Sequence, residues 1–360
     1  MKNIIFFAKH LDIGGLEKAL LNLLNSLDYE NNRITLVLED KQGAFLSQLD
    51  GRVIVKEYKL SNCRFVPLRR VLNLSKRILW ALKNHGKYDF SCAYCTYSVI
   101  GSRLAQYASK NNCLYVHSDY TKMYPEKKMF QEFFSELRVC GFRHLVFVSQ
   151  NCMENFLCIY PELSERSSVI NNLVNAGEIR RRAEEPAKCC KHPGEVLFAF
   201  VGRLEESTKR LSRLLEAFAV ARKKRTDIRL LIVGDGPDRG LCEEKIKEYA
   251  IESAVTLVGA QTNPYKFIAQ SDCILLCSDQ EGFPMVYYEA LVLGKGIITT
   301  IAVKDELLDI SEYAVITEKS PEAIAEAIVS FRGAEKEFPD VDKMNEIRLK
   351  SLNLLIGKKV

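Results

Sequence analysis

The sequence predicts an α/β protein built as two domains of similar size, and three observations carry that reading. Its 360 residues exceed what one hydrophobic core usually supports. Short β-branched or apolar runs alternate with longer amphipathic stretches, the pattern of parallel strands joined by helical crossovers. That series breaks off near residue 171 and resumes, with similar spacing, at residue 196.

The first series places strands near residues 4–8, 33–38, 53–57, 90–94, 114–117 and 145–149, with helices in the gaps. The second places them near 196–201, 229–233, 255–258, 273–277 and 296–299. Between the two, residues 172–194 hold the basic run Arg180-Arg181-Arg182, then Glu184-Glu185-Pro186 and Pro193-Gly194. Turn formers and charges with little apolar periodicity read as a linker. The expected division is a first domain over 1–171, a linker over 172–194, a second domain over 195–338 and a closing segment over 339–360. In that segment Val341, Met344, Ile347, Leu352 and Leu355 recur at helical spacing behind Pro339-Asp340, which predicts a helix packing back on the first domain.

Composition narrows the class. With 47% hydrophobic and 27% charged residues the chain resembles ordinary soluble proteins, and no window reaches the roughly 18 uninterrupted apolar residues of a membrane span. Met1-Lys2-Asn3 runs directly into Ile4-Ile5-Phe6-Phe7-Ala8, too short an apolar run for a secretory leader and better read as a strand. Twelve scattered cysteines without such a leader favour reduced, buried thiols and a cytoplasmic location. Cys92 with Cys95, and Cys189-Cys190 with His192, suggest metal ligation, but neither cluster has the second half that a tetrahedral site needs. No metal is expected. The net charge of +5 is uneven, roughly +7 lying in residues 1–170, so the first half suits an anionic partner, with no nucleic acid expected.

Two stretches of the second half carry the candidate chemistry. After the run 198–201 comes Gly202-Arg203-Leu204, then Lys209-Arg210 ahead of an amphipathic helix at Leu211, Leu214, Leu215 and Phe218. Arg203 at a strand's C-terminal end and Lys209 at the start of the next helix stand where open α/β sheets bind ligands. An arginine fork and a lysine point charge suit a diphosphate and its developing negative charge. The stretch Ser278-Asp279-Gln280-Glu281-Gly282-Phe283-Pro284-Met285-Val286 follows another strand. Gly282 permits a tight turn and Pro284 suits the first position of a helix. The main-chain N–H groups of Phe283, Met285 and Val286, around Pro284, are then aimed at an anion. Glu281, just before that helix, suits sugar hydroxyls at the reaction centre, and Glu289, two turns further, a ribose diol.

Other features weigh less by themselves. Asp12-Ile13-Gly14-Gly15-Leu16-Glu17 lies between a strand and a helix, and Gly14 and Gly15 there fit either a plain turn or a close backbone approach to a ligand. Gly234-Asp235-Gly236-Pro237 departs from a dinucleotide fingerprint at its third glycine and its proline, which argues against a nicotinamide cofactor. His117 ends a strand, where a lone histidine is more often structural than catalytic. Asp340 and Asp342 precede the last helix and suit capping rather than metal binding. The segment 64–87, from Arg64 to Lys87, mixes basic residues with an apolar stripe. Two readings fit it: a core-packed helix with a solvated basic face, or a helix resting on an anionic membrane surface.

Taken in order, these pieces resemble the retaining glycosyltransferases of family 4. The resemblance runs through Gly14 to Glu17, His117 in Val-His-Ser, Val148-Ser149, Ile170 and Asn172, Gly202-Arg203-Leu204 with Lys209, Gly234 to Pro237, and Glu281 with Glu289. It implies the GT-B fold, two Rossmann-like domains facing each other across a cleft, the nucleotide sugar bound mainly by the second and the acceptor by the first. It further implies that Arg203 and Lys209 hold the donor diphosphate, Glu289 the ribose and Glu281 the transferred sugar, with Gly15 near the phosphates and His117 near the sugar. Transfer would proceed with retention by a front-face route, without a cofactor, from a UDP-sugar as the commonest donor of the family. The acceptor would be a glycan or lipid-linked glycan of surface polysaccharide synthesis. Three positions depart from the family pattern: Arg210 replaces a glycine, Asn171 and Leu173 replace Pro and Gly, and Cys277 replaces a proline. Two other readings stay open, a UDP-sugar epimerase of the same fold and a non-catalytic sugar-binding partner of a transferase.

Overall fold

The computed structural model describes residues 1–187, 191, 193–333 and 339–357. The pair Cys189-Cys190 and His192 lie outside the described residues. The chain divides into two compact units, one of residues 1–173 together with the described residues from Asn345 onward, the other of Val174–Met344.

The first unit holds β1 (Lys2–Ala8), α1 (Gly15–Asn25), β2 (Asn32–Leu38), β3 (Ile54–Glu57), α2 (Val66–Asn84), β4 (Phe90–Ala93), α3 (Val99–Ala108), β5 (Asn112–Val116), α4 (Lys127–Glu136), β6 (His144–Phe147), α5 (Gln150–Leu157) and β7 (Ser167–Val169). Its sheet is parallel throughout, in the order β3-β2-β1-β4-β5-β6-β7. The central strands are apolar on both faces because helices cover both, and Ile4 through Ala8 are all buried.

The second unit holds α6 (Ala176–Ala183), β8 (Val196–Val201), α7 (Glu206–Lys209), α8 (Leu211–Lys224), β9 (Ile228–Val233), α9 (Arg239–Glu248), β10 (Val255–Gly259), α10 (Tyr265–Gln270), β11 (Cys273–Leu276), α11 (Met285–Val292), β12 (Gly296–Thr299), β13 (Lys304–Asp305), β14 (Leu308–Asp309), β15 (Ala314–Ile316) and α12 (Pro321–Ser330). The main sheet runs β10-β9-β8-β11-β12-β15, again parallel, and β13 with β14 form a small antiparallel pair. The last helix, α13 (Val341–Gly357), starts in this unit and continues into the first. There it is tied by Asn111 Nδ2 donating to Leu355 O at 3.0 Å and by buried Arg348 donating to Asn172 O at 3.0 Å.

Several expectations need correcting. The stretch 172–194 is not a bare linker: α6 lies in it, capped by Asn175, whose side chain accepts from Glu178 N at 2.9 Å. It buries only Ala176 and Ile179, too few positions to leave a periodic signal. The division accordingly falls at 173/174 rather than at 171 and 195. The edge strands β7 and β15 were not predicted, being three residues long with no fully buried position. Pro284 is the N-cap of α11 rather than its first helical residue. Cys92 and Cys95 are both buried, Cys95 standing beyond the strand, and burial pushes the Cys95 thiol up to about 12, as suits core cysteines.

In each sheet one pair of neighbours marks the point where the chain reverses its direction of travel across the sheet: β1 with β4, and β8 with β11. Open α/β sheets bind ligands at the C-terminal ends of such strands. That rule selects residues 9–17 and 94–98 in the first unit, and 202–210 and 277–286 in the second.

Candidate active site

The second unit brings Lys209 and Glu281 together. Lys209 ends the short turn α7 rather than opening the long helix, because Arg210 intervenes in the left-handed conformation, φ 52° and ψ 54°, before α8 begins. From there Nζ of Lys209 donates to Glu281 Oε1 at 2.5 Å, and both side chains are largely buried. Ser278 Oγ donates to the same carboxylate oxygen at 2.7 Å, and Thr300 Oγ1 donates to Ser278 O at 2.7 Å. A lysine ammonium has three donors, so Lys209 can keep Glu281 while donating to a phosphate oxygen. Arg203 differs: its side chain is 68% exposed, with only a 4.0 Å approach to Glu205, so its guanidinium is open to an anion.

The loop after β9 forms the floor beneath Arg203. Leu204 N donates to Asp235 O at 3.0 Å and Asp238 N to Leu204 O at 3.1 Å. A Cβ at Gly234 would stand 1.8 Å from Gly202 O, and one at Gly236 2.3 Å from Leu204 O. These glycines therefore serve the crossing of two loops, which explains the motif without a dinucleotide.

At α11 the side chains of Phe283, Met285 and Val286 are buried, and Phe283 stacks on Tyr288 at 4.5 Å. What this turn offers a ligand, after Gly282, is its main chain. No side chain caps the N-terminus of α11, and first-turn N–H groups favour an anion. Glu289 lies on α11 at 7% exposure, close enough to Tyr265 to help push that phenol's pKa up, an effect led by burial.

The remaining predicted residues belong to the first unit. Gly14 caps α1, and a Cβ there would stand 2.2 Å from Glu17 Oε2, so this glycine is explained by the Glu17 carboxylate folding back over it. Gly15 has nothing within 4 Å of such a Cβ; the space over it is open, which keeps the ligand reading at that position. His117 follows β5 and is buried between Tyr94 and Tyr115, ring centroids 4.6 and 5.0 Å away. Neither of its ring nitrogens has a partner in hydrogen-bond geometry. Burial holds its pKa down at about 3, the Tyr94 main chain only partly opposing this, so the imidazole is neutral at physiological pH and has donor and acceptor capacity to spare. In the second unit Asp340 has the capping role expected, its Oδ1 accepting from Asp342 N and Lys343 N at 3.1 Å each, whereas the Asp342 carboxylate lies 3.4 Å from Arg180.

Sequence reasoning missed Ser278, Asp279, Arg210 and Arg213, all of which bear on the two site loops. Each stands one to four residues from a predicted site residue. Nothing in linear order, however, says that Asp279 meets Arg210 across 69 positions.

Comparison with known proteins adds independent support. Residues 195–332 match the family described as glycosyl transferases group 1. The glycosyltransferase MJ1059 of Methanocaldococcus jannaschii is 29% identical over 144 residues, 39% of this chain and 35% of that protein. An N-acetylgalactosamine-N,N'-diacetylbacillosaminyl-diphospho-undecaprenol 4-alpha-N-acetylgalactosaminyltransferase of Campylobacter jejuni is 34% identical over 100 residues, 28% of this chain and 26% of that one. The chain thus spans only about a quarter to a third of the length of these curated relatives. In fold, HepE of Anabaena, solved in complex with UDP and glucose, superposes with a TM-score of 0.72 at 16% identity, over 98% of this chain and 100% of that one. Residues 195–332 of the second unit thus match the model for group 1 glycosyl transferases, and the chain, with its two parallel-sheet units, has the GT-B fold.

Proposed function

We propose that the protein is a retaining glycosyltransferase that moves a sugar from a nucleotide diphosphate, UDP foremost, to a glycan or lipid-linked acceptor in surface polysaccharide synthesis. The observation that carries this reading is the convergence of Lys209, Glu281 and open Arg203 at the β8/β11 switch point of a domain matched to that family. Arg203 and Lys209 meet the diphosphate and stabilise the charge that grows on it as the glycosidic bond breaks. Glu281 accepts from hydroxyls of the transferred sugar, Glu289 from the ribose, and the first turn of α11 faces the phosphates. Because two side-chain cations answer the leaving-group charge, the reaction is proposed to need no metal. In the first unit, the open space over Gly15 and the neutral imidazole of His117 support ligand roles for those two residues. The relative from Campylobacter jejuni, whose name specifies a diphospho-undecaprenol acceptor, supports the lipid-linked class.

Stabilisation against heat by one of UDP, GDP, ADP, dTDP or CMP, lost in an Arg203→Ala, Lys209→Ala double variant, is the expected result. Release of free nucleoside diphosphate from the matching nucleotide sugar would separate transfer from epimerisation, which leaves the sugar attached. Binding without any turnover would favour the non-catalytic reading.

A cytoplasmic enzyme resting on an anionic membrane is the location we propose, and α2 supports it. Among the described residues no helix is long and apolar enough to cross a membrane. Helix α2 nevertheless buries no residue. At about 100° per residue, Asn73, Arg77, Trp80 and Asn84 share the side facing its unit, where Trp80 packs edge-on to Phe7 at 5.7 Å. The opposite side presents Leu68, Val71, Leu72, Leu74, Ile78, Leu79 and Leu82, each 39–76% exposed. Arg69, Lys76 and Lys83 line one flank of that apolar arc and Arg70 the other. Between Tyr58 and Tyr88 there are eight basic residues and no acidic one. An apolar arc rimmed by cations suits an anionic bilayer. The protein should sediment with vesicles containing phosphatidylglycerol, less so at high salt, and a Leu79→Glu, Leu82→Glu variant should stay in the supernatant with unchanged melting temperature. Equal sedimentation of parent and variant would remove the helix from the account.

A further inference from the structure

Lys209 and Glu281 sit on different loops, and their ion pair is joined by further links between those loops. One is main chain: Asp279 N donates to Thr208 O at 3.1 Å. Another is a carboxylate held by two guanidinium groups. Asp279 accepts from Arg210 Nε through one oxygen and from Arg213 Nη1 at 2.9 Å through the other. Arg213, on α8, also donates to Cys277 O at 3.0 Å, and Lys319 Nζ donates to Asp279 O at 3.2 Å. Burial alone would raise the Asp279 carboxyl, yet the bonds from Arg210 and Arg213 hold it at about 2.

The backbone of Arg210 makes this arrangement informative. Its φ of 52° is a conformation that glycine adopts at little cost and that other residues adopt only under strain. A strained arginine retained at that position calls for a compensating contact, and the side chain supplies one, reaching Asp279 two positions before Glu281. We infer that Asp279, clamped by Arg210 and Arg213, is a positioning residue that keeps the Lys209 loop and the Glu281 loop in register when the donor enters between those two side chains. This rests on the glycosyl-transfer reading above. A donor diphosphate shares the Lys209 ammonium with Glu281, so the direct ion pair is kept but weakened when the site is occupied. The clamp lies outside the pair and stays closed, so the loops do not separate.

A merely structural role and a positioning role predict different outcomes for Arg210→Gly, which relieves the strained backbone and removes the arm of the clamp that joins the two loops. The clamp predicts a melting temperature equal to or above that of the parent, with a dissociation constant for UDP weakened about tenfold and a comparable rise in donor KM. Asp279→Asn should weaken UDP to a similar degree, the double variant no further than the worse single one, and Arg210→Lys should recover part of the loss. Should Arg210→Gly bind UDP as tightly as the parent, the clamp is refuted while the transferase reading stands. If instead the parent itself binds none of the nucleotides, the transferase reading fails and the clamp with it.

Discussion

Lys209→Ala is expected to lower kcat/KM for sugar transfer by about a hundred- to a thousandfold, the loss typical of removing one preorganised group from a developing negative charge. Two costs add in this case. The leaving diphosphate loses a cation positioned by α7 and its following left-handed residue. Glu281, largely buried at 13% exposure, loses the 2.5 Å partner that balances its charge and keeps only the bond from Ser278. A carboxylate left in that state favours turning towards water, away from the place where a sugar hydroxyl would meet it. The measurement is the initial rate of nucleoside diphosphate release at saturating acceptor, with the melting curve as a control for folding. A rate within about threefold of the parent would overturn the leaving-group assignment.

Gly234→Ala is expected to destabilise the second unit by about 3 kcal/mol or more, and to prevent folding if the unit has little stability to spare. The added Cβ would stand 1.8 Å from Gly202 O and 2.9 Å from Gly202 C. Both are main-chain atoms of a crossing loop, so no flexible side chain can yield. The residue's φ of 149° is a further penalty for any L side chain. Gly240→Ala provides the contrast: it lies in α9 with nothing within 4 Å of a Cβ and should be neutral or stabilising by up to about 1 kcal/mol. Urea denaturation followed by circular dichroism separates the two. Equal midpoints would mean that the loops after β8 and β9 are not packed as described. Because the same crossing supports Arg203, any soluble Gly234→Ala protein should also bind UDP less well.

Much of this was legible in linear order. The long central strands announced themselves because burial on both faces demands unbroken apolar runs, as in residues 4–8 and 230–233. Arg203, Lys209 and Glu281 could be placed at strand ends because a strand, its following turn and the next helix are contiguous. Short edge strands and α6 escaped notice because they bury too little to impose a period. Arg210 was visible as a departure from the family's glycine, but its left-handed backbone and its bond to Asp279 were not.

The sequence by itself determined the α/β class, the presence of two units, and the strand ends at which Arg203, Lys209 and Glu281 stand. These depend on local period and residue chemistry, which the chain carries at every position. Tertiary structure decided which loops meet at β8 and β11, why Gly234 must be glycine, and that α2 turns its apolar arc away from its own unit. The physical reason is the same in each case. Periodicity shows that a helix has an apolar stripe and chemistry that an aspartate can bind arginine, but the stripe's covering and the aspartate's partner lie elsewhere in the chain, brought near only by the order of strands in the sheet.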